Sequence, residues 1–201
     1  MQEAFINWAQ EPHLSIEQLT SMRGLNRRFL DLAGKGVPWS GLGTQVALLS
    51  PSQRAAAADC PYALFDLRFQ DEAHWRGRLQ TASALVIADA PRADYELVDF
   101  VRLALFYTWH LASTASLAAH LLLGMQGNTA DAFRRIPVDA LPALALNEVV
   151  NLAPRWGHCN AYWTALIGAA ARPDPAALRR VQLSGLQLAA AAQLPSEPRE
   201  V

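Results

Sequence analysis

Apolar residues recur three and four positions apart along nearly the whole chain. Ile16, Leu19, Met22, Leu25, Phe29 and Leu32 form the first series, the spacing of a helix with one buried face. Ser15-Ile-Glu-Gln18 precedes it as a capping box, and Gly34 and Gly36 end it. "VPWSGLG" follows as a loop, then a short helix over Thr44 to Leu49. Ser50-Pro51-Ser52-Gln53 opens the next helix, with Ser50 at the N-cap, Pro51 at N1 and Gln53 at N3. That helix runs to about Cys60, where Pro61 interrupts. "YALFDLRF" alternates well enough for a strand but has no evident partner strand, so a helix turn or extended connector is expected. Asp71 caps a helix reaching Leu79.

"ADAPRAD", residues 88–94, reads as a linker. A long helix is expected from Tyr95 to Leu123, closed by Gly124 and Gly127. Thr129 caps a short helix to Ile136. Asp139 to Ala153 is the next helix, with Pro142 tolerated in its first turn. Gly157 to Ala171 follows, and Asp174-Pro175 starts a last helix to about Leu194. The tail "PSEPREV" is polar. No βαβ alternation and no Asn-Gly hairpin signal occurs, so the expected class is all-α: a helical bundle around a long central helix.

The central segment decides between interior and membrane. Leu103 to Met125 contains no Asp, Glu, Lys or Arg and is long enough to span a bilayer. His110, Ser113, Thr114, Ser116 and His120 would be costly in lipid. A helix apolar all round also suits the axis of a soluble bundle, and that placement is expected, with no membrane partner.

Composition narrows the class further. Of 201 residues, 52% are hydrophobic and 17% charged, as in a chain that buries a core. A net charge of -1 does not support a nucleic-acid-binding surface. Lys35 is the only lysine, so the basic residues are nearly all Arg. Cys60 and Cys159 make no CxxC and no disulfide framework. The N-terminal "MQEAFINWAQEPHLS" lacks a basic region and a long apolar core, which points to a cytoplasmic location.

One phrase occurs twice. "FDLRFQDEAHW" at 65–75 and "LAPRWGHCNAYW" at 152–163 each carry Arg before a large aromatic, a polar piece, then Trp. With Arg68 placed on Arg155 the offset is 87 residues, and a one-residue shift brings Trp75 onto Trp163. Upstream, each half reads long helix, short helix, helix, connector, helix. Chance similarity among Leu- and Ala-rich helices is one explanation. Duplication is the other: repeats at 1–87 and 95–194, packed as one unit about a pseudo-two-fold axis.

Each half, and the second more clearly, resembles the D subunit of the flagellar master transcriptional activator. The resemblance rests on the Leu-rich run before Gly, "ADAFRRIPVDALPALAL", a segment ending in Arg-aromatic, and "LRRVQLSGLQLAAA". It implies an all-helical, dimeric bacterial regulator that works with a partner subunit to bind DNA and recruit polymerase. This chain has about twice the usual length and no evident basic DNA-facing segment. No family binding residue maps onto it.

Catalytic signatures are absent: there is no GxxxxGK[ST], GxGxxG, HExxH or GxSxG. His110 and His120 lie roughly 80° apart on a helix. His158-Cys159 could join His74 in a metal cluster only if the two halves converge. Asp71, Glu72 and His74 form an acid–base group on paper, but acids at a helix start stabilise its dipole. Arg68, Trp75, Arg155, Trp156 and Trp163 are the candidate partner-binding or connector residues. No cofactor or metal is expected. The expected function is that of a non-enzymatic regulatory or adaptor protein that binds another protein, or itself as a homodimer. The alternative is an enzyme or small-ligand binder with a site between helices near Trp109, His110 and His120.

Overall fold

The computed structural model describes residues 14–36, 39, 41–81 and 94–192. Most of the expected linker, all but its last residue, and the polar tail lie outside these residues, as does the N-terminal segment. Helices dominate: α1 (Ile16–Ala33), α2 (Leu42–Ala47), α3 (Pro51–Ala58), α4 (Glu72–Thr81), α5 (Tyr95–Thr114), α6 (Ser116–Ala118), α7 (Gly127–Phe133), α8 (Leu141–Glu148), α9 (Asn160–Ala170) and α10 (Pro175–Ala191). The all-α class holds. No helix among the described residues is long and apolar enough to cross a membrane.

Local signals explain where several of these helices begin. The Ser15 and Ser50 hydroxyls each accept from the N3 amide, and Gln18 and Gln53 reach back to the cap amides. These are complete capping boxes, each satisfying two backbone donors the helix itself leaves unpaired. Asp71 accepts from the His74 amide at 2.8 Å, and Asp174 accepts from Ala177 at 2.9 Å. Thr129 does not cap α7; the helix starts two residues earlier and the threonine is buried within it. The helix expected to reach Ala153 ends at Glu148 and passes through a 3-10 turn.

"YALFDLRF" does have a strand partner. Phe65–Asp66 (β1) pairs antiparallel with Ala153–Pro154 (β2), Phe65 opposite Pro154 and Asp66 opposite Ala153. The two echoed phrases therefore meet each other. Just beyond each strand one residue takes the left-handed conformation, Arg68 at φ 58° and Trp156 at φ 54°. These are large residues in a region that ordinarily favours glycine or asparagine, so the surrounding packing must hold the bend. Backbone conformation thus matches Arg68 with Trp156, one position away from the alignment that places Arg68 on Arg155.

Packing crosses between the halves of the chain. α1 packs on α2 and α3, as α5 packs on α7 and α8. The helix after each connector leaves its own half: α4 packs on α7, and α9 packs on α2 and α3. α1 and α5 touch each other, and α10 covers α9. Phe29, Phe65 and Phe100 sit at the centre with ring centroids 5.1–6.0 Å apart. Buried residues from both halves belong to one continuous core.

The central helix departs from expectation in two ways. It breaks at Ala115 (φ -152°, ψ 67°), and resumes as α6 and a π-helical turn over Ala119–Leu123. Thr108 and Thr114 hydroxyls bond back to the Ala104 and His110 carbonyls, both at 2.7 Å; such bonds compete with the helical ladder and bend helices. Nor is the segment buried all round. Leu103, Phe106, Leu117 and Leu121 are 39%, 36%, 41% and 41% exposed, and His110 is exposed as well.

Candidate functional site

The connector residues are mostly turned inward. Trp75 is fully buried on α4, with its ring 4.5 Å from that of Phe133 on α7, and its indole N–H donates to the Arg68 carbonyl at 3.1 Å. Trp163 on α9 makes the parallel bond, donating to the Arg155 carbonyl at 3.0 Å. Each tryptophan thus clamps the backbone of its own connector, Trp75 at the left-handed Arg68 and Trp163 at the residue before the left-handed Trp156. Arg68 stays half exposed, paired with Asp71 at 2.5 Å and with Nη1 3.4 Å from His74. The His74 amide and the Arg68 guanidinium hold the Asp71 carboxyl below its ordinary range.

Arg155 is buried and does a different job. Its backbone N–H donates to Leu64 and its Nη1 to the Leu122 carbonyl at 3.2 Å, while its guanidinium lies 4.7 Å over the Trp156 ring. The Ala63 amide donates to the same Leu122 carbonyl at 2.8 Å. The π-helical turn leaves that carbonyl without a helical partner, and both connectors converge on it. Burial depresses the Arg155 pKa to about 10, against the opposing pull of Asp66, Tyr62 and Tyr162. Gly124 makes room: it is left-handed at φ 75°, and a Cβ there would collide with the guanidinium. The Trp156 ring rests between Tyr62 and Tyr162, at 5.5 and 5.3 Å.

Three polar groups that drew no attention in the sequence fix this crossing. Asn26, fully buried on α1, donates to the Tyr62 carbonyl at 2.8 Å and accepts from the Leu64 amide at 2.8 Å. Tyr62 donates to the Gln182 carbonyl at 2.8 Å and accepts from Tyr162 at 2.9 Å. Gly185 lets α10 approach, because a Cβ there would collide with the Tyr62 hydroxyl. Glu148, fully buried on α8, meets His74 Nε2 at 2.9 Å, Arg78 Nε at 2.6 Å and Asn151 at 2.7 Å. No pattern could have found Glu148, since its ion-pair partners sit on α4, some seventy residues away.

Of the expected acid–base group, Asp71 caps α4, Glu72 pairs with Arg76 and accepts from Asn128 at 3.1 Å, and His74 serves Glu148. His158 and Cys159 do not join His74: no group of three His, Cys, Asp or Glu among the described residues is placed to hold a metal ion. Burial pushes the Cys60 thiol up to about 12, which suppresses the nucleophilic thiolate. Trp109 donates to the Ile136 carbonyl at 3.0 Å, His120 Nδ1 lies 2.8 Å from the Met125 carbonyl, and His110 faces solvent. Trp109 and His120 thus bond different carbonyls.

Outward, the molecule offers apolar surface. On α5, Leu103, Phe106 and His110 recur at three and four, with Asp99 and Arg102 paired beside them at 2.7 Å. Leu117 and Leu121 carry exposed apolar positions past the break. A separate cavity of about 440 Å³ opens between α2 and α9, lined by Trp39, Leu42, Gln45, Asn160, Trp163 and Thr164 among others. No family model, no curated protein and no solved structure matches this chain.

Proposed function

We propose that this chain is a non-enzymatic helical regulatory or adaptor protein that works through protein–protein contacts. The observation that carries the reading is the division of side chains. Trp75, Trp163, Arg155, His74 and Glu148 bond to one another or to backbone, while α5 and the helical turns after it leave apolar side chains facing solvent: Leu103, Phe106, Leu117 and Leu121. Exposed leucine and phenylalanine at helical spacing suit a partner helix or groove, with a paired charge at the rim.

The crossed packing suggests what kind of adaptor. An isologous dimer whose subunits exchange their last helices, fused into one chain, would produce this element order and these exchanged contacts. The resemblance to the D subunit of the flagellar activator, itself dimeric, points the same way and makes transcriptional control the setting. Direct DNA binding has no support from the charge.

The test is affinity capture from the source cell with the parent chain and a Leu103→Glu/Phe106→Glu double variant. Both positions are partly exposed, so the variant should melt close to the parent. A protein retained by the parent and lost from the variant is the expected result. Retention of the same proteins by both would defeat the assignment of this face.

A further inference from the structure

The outer face of α5 carries an ordered stripe. Phe100, Ala104, Thr108 and Leu111 face the core. On the other side Glu96, Asp99, Leu103, Phe106, His110 and Ser113 are exposed. These six positions step by three and four in strict alternation, the heptad spacing of a helix that pairs with another helix along its length. The stripe ends where the helix breaks at Ala115.

Its two ends differ in chemistry. The acids Glu96 and Asp99 stand at the first end, the donors His110 and Ser113 at the other, and Leu103 and Phe106 lie between. Arg102 Nη2 takes only Oδ1 of Asp99, at 2.7 Å. Asp99 Oδ2 and the His110 imidazole make no hydrogen bond among the described residues. Both residues are exposed, so an acceptor and a donor stand unused on one stripe, roughly 16 Å apart at the rise of an α-helix.

We propose that this stripe binds the same stripe of a second copy of the chain, antiparallel, about a two-fold axis between residues 104 and 105. That single axis sets Leu103 against Phe106, Asp99 against His110 and Glu96 against Ser113 of the second copy, each pairing made twice. An imidazole N–H donates to a carboxylate whether or not the ring is charged. A parallel copy would set Asp99 against Asp99, a like-charge contact that costs binding energy. Read in reverse, the stripe complements itself at every layer, and this selects a second copy over an unrelated helix. Six layers on one helix make an interface near the small end of specific ones, about 1,200 Å². The proposal rests on the adaptor reading of this face and names its partner.

The test is sedimentation velocity of the full chain over a concentration range that brackets a dissociation constant on the order of 10 μM. The parent should pass from monomer to dimer, and Phe106→Glu should stay monomeric. His110→Asp sets a carboxylate against Asp99 and should weaken the dimer at least about tenfold. Adding Asp99→His to that variant re-forms the pair with its sides exchanged, and should restore the constant to within about threefold of the parent. Positions 99 and 110 are both exposed, so this exchange carries the test if Phe106→Glu misfolds. A parent that stays monomeric, a dimer indifferent to His110→Asp, or a double variant no better than the single one overturns the proposal. A monomeric parent with partner capture still lost in the Leu103→Glu/Phe106→Glu variant would replace the second copy by another protein and leave the adaptor reading intact.

Discussion

Glu148→Ala should be the most damaging conservative change in the molecule. The carboxylate is fully buried and ties α8 to α4 through His74 and Arg78, with Asn151 as a third partner. Removing one partner of a buried ion pair costs about 3–5 kcal/mol, because the remaining charge is stranded. Here Arg78 keeps 29% and His74 11% of its side-chain exposure, so both recover some hydration and the lower end, about 3 kcal/mol, applies. Two hydrogen bonds to a charged acceptor, from His74 and Asn151, at about 1.5–3 kcal/mol each before compensation, are consistent with that figure. With a urea m-value of about 2.5 kcal/mol/M, the midpoint should fall by about 1.2 M. Glu148→Gln keeps the shape and an acceptor but loses the charge, and should cost about half as much. The assay is a urea melt followed by far-UV circular dichroism at neutral pH. A midpoint for Glu148→Ala within about 0.2 M of the parent would show that α4 and α8 are not joined through this carboxylate.

Three further outcomes follow from the same geometry. Gly124→Ala should destabilise by about 2 kcal/mol or more in a thermal melt, since it adds a left-handed alanine and a collision with Arg155; an unchanged melting temperature would contradict the placement of that guanidinium. Gly185→Ala should loosen α10 from Tyr62, seen as faster amide exchange in α10, while equal protection in parent and variant would mean that the helix does not need this close approach. Burial raises the pKa values of Tyr62, Tyr107, Tyr162 and Cys60. Acids raised in the folded state contribute stability that is complete below their unfolded values, about 9 for the thiol and 10 for the phenols, and is lost as pH rises past them. Arg155, a base depressed to about 10, acts in the opposite sense above that pH, but it is one group against four. The urea midpoint should therefore fall between about pH 9 and about pH 11, and a flat or rising midpoint would contradict the burial of these groups.

The legible parts of this fold were those written locally. Capping boxes at Ser15 and Ser50 name two helix starts because donor, acceptor and spacing all lie within four residues. The connector at Phe65 was not legible as a strand: its partner, Pro154, is 89 residues away, and a two-residue ribbon leaves no periodic trace. The repeated phrase did mark both halves of that pair, although the left-handed residues at Arg68 and Trp156 place the correspondence one position further along. Hydrophobicity alone made Leu103–Met125 an axis buried on every side. It could not show that Phe106 faces out, or that the helix would break at Ala115. Arg155 was legible as a notable residue, but its burial was not. Glu148 and Asn26 were invisible, because a buried polar group is defined by distant partners and not by its neighbours in sequence. The cavity at Trp39 escaped notice because it forms only where α9 crosses to α2.

The most direct test of the adaptor reading is photocrosslinking from the α5 face in the living source cell. A benzophenone amino acid replaces Phe106 in the full chain, and Arg180, exposed on α10, serves as the control position. The account predicts one dominant polypeptide adduct from position 106 that is absent from position 180; an adduct of twice the chain's 22.0 kDa would identify a second copy as the partner. No adduct at 106, or the same diffuse set from both positions, would contradict the claim that this face exists to bind protein.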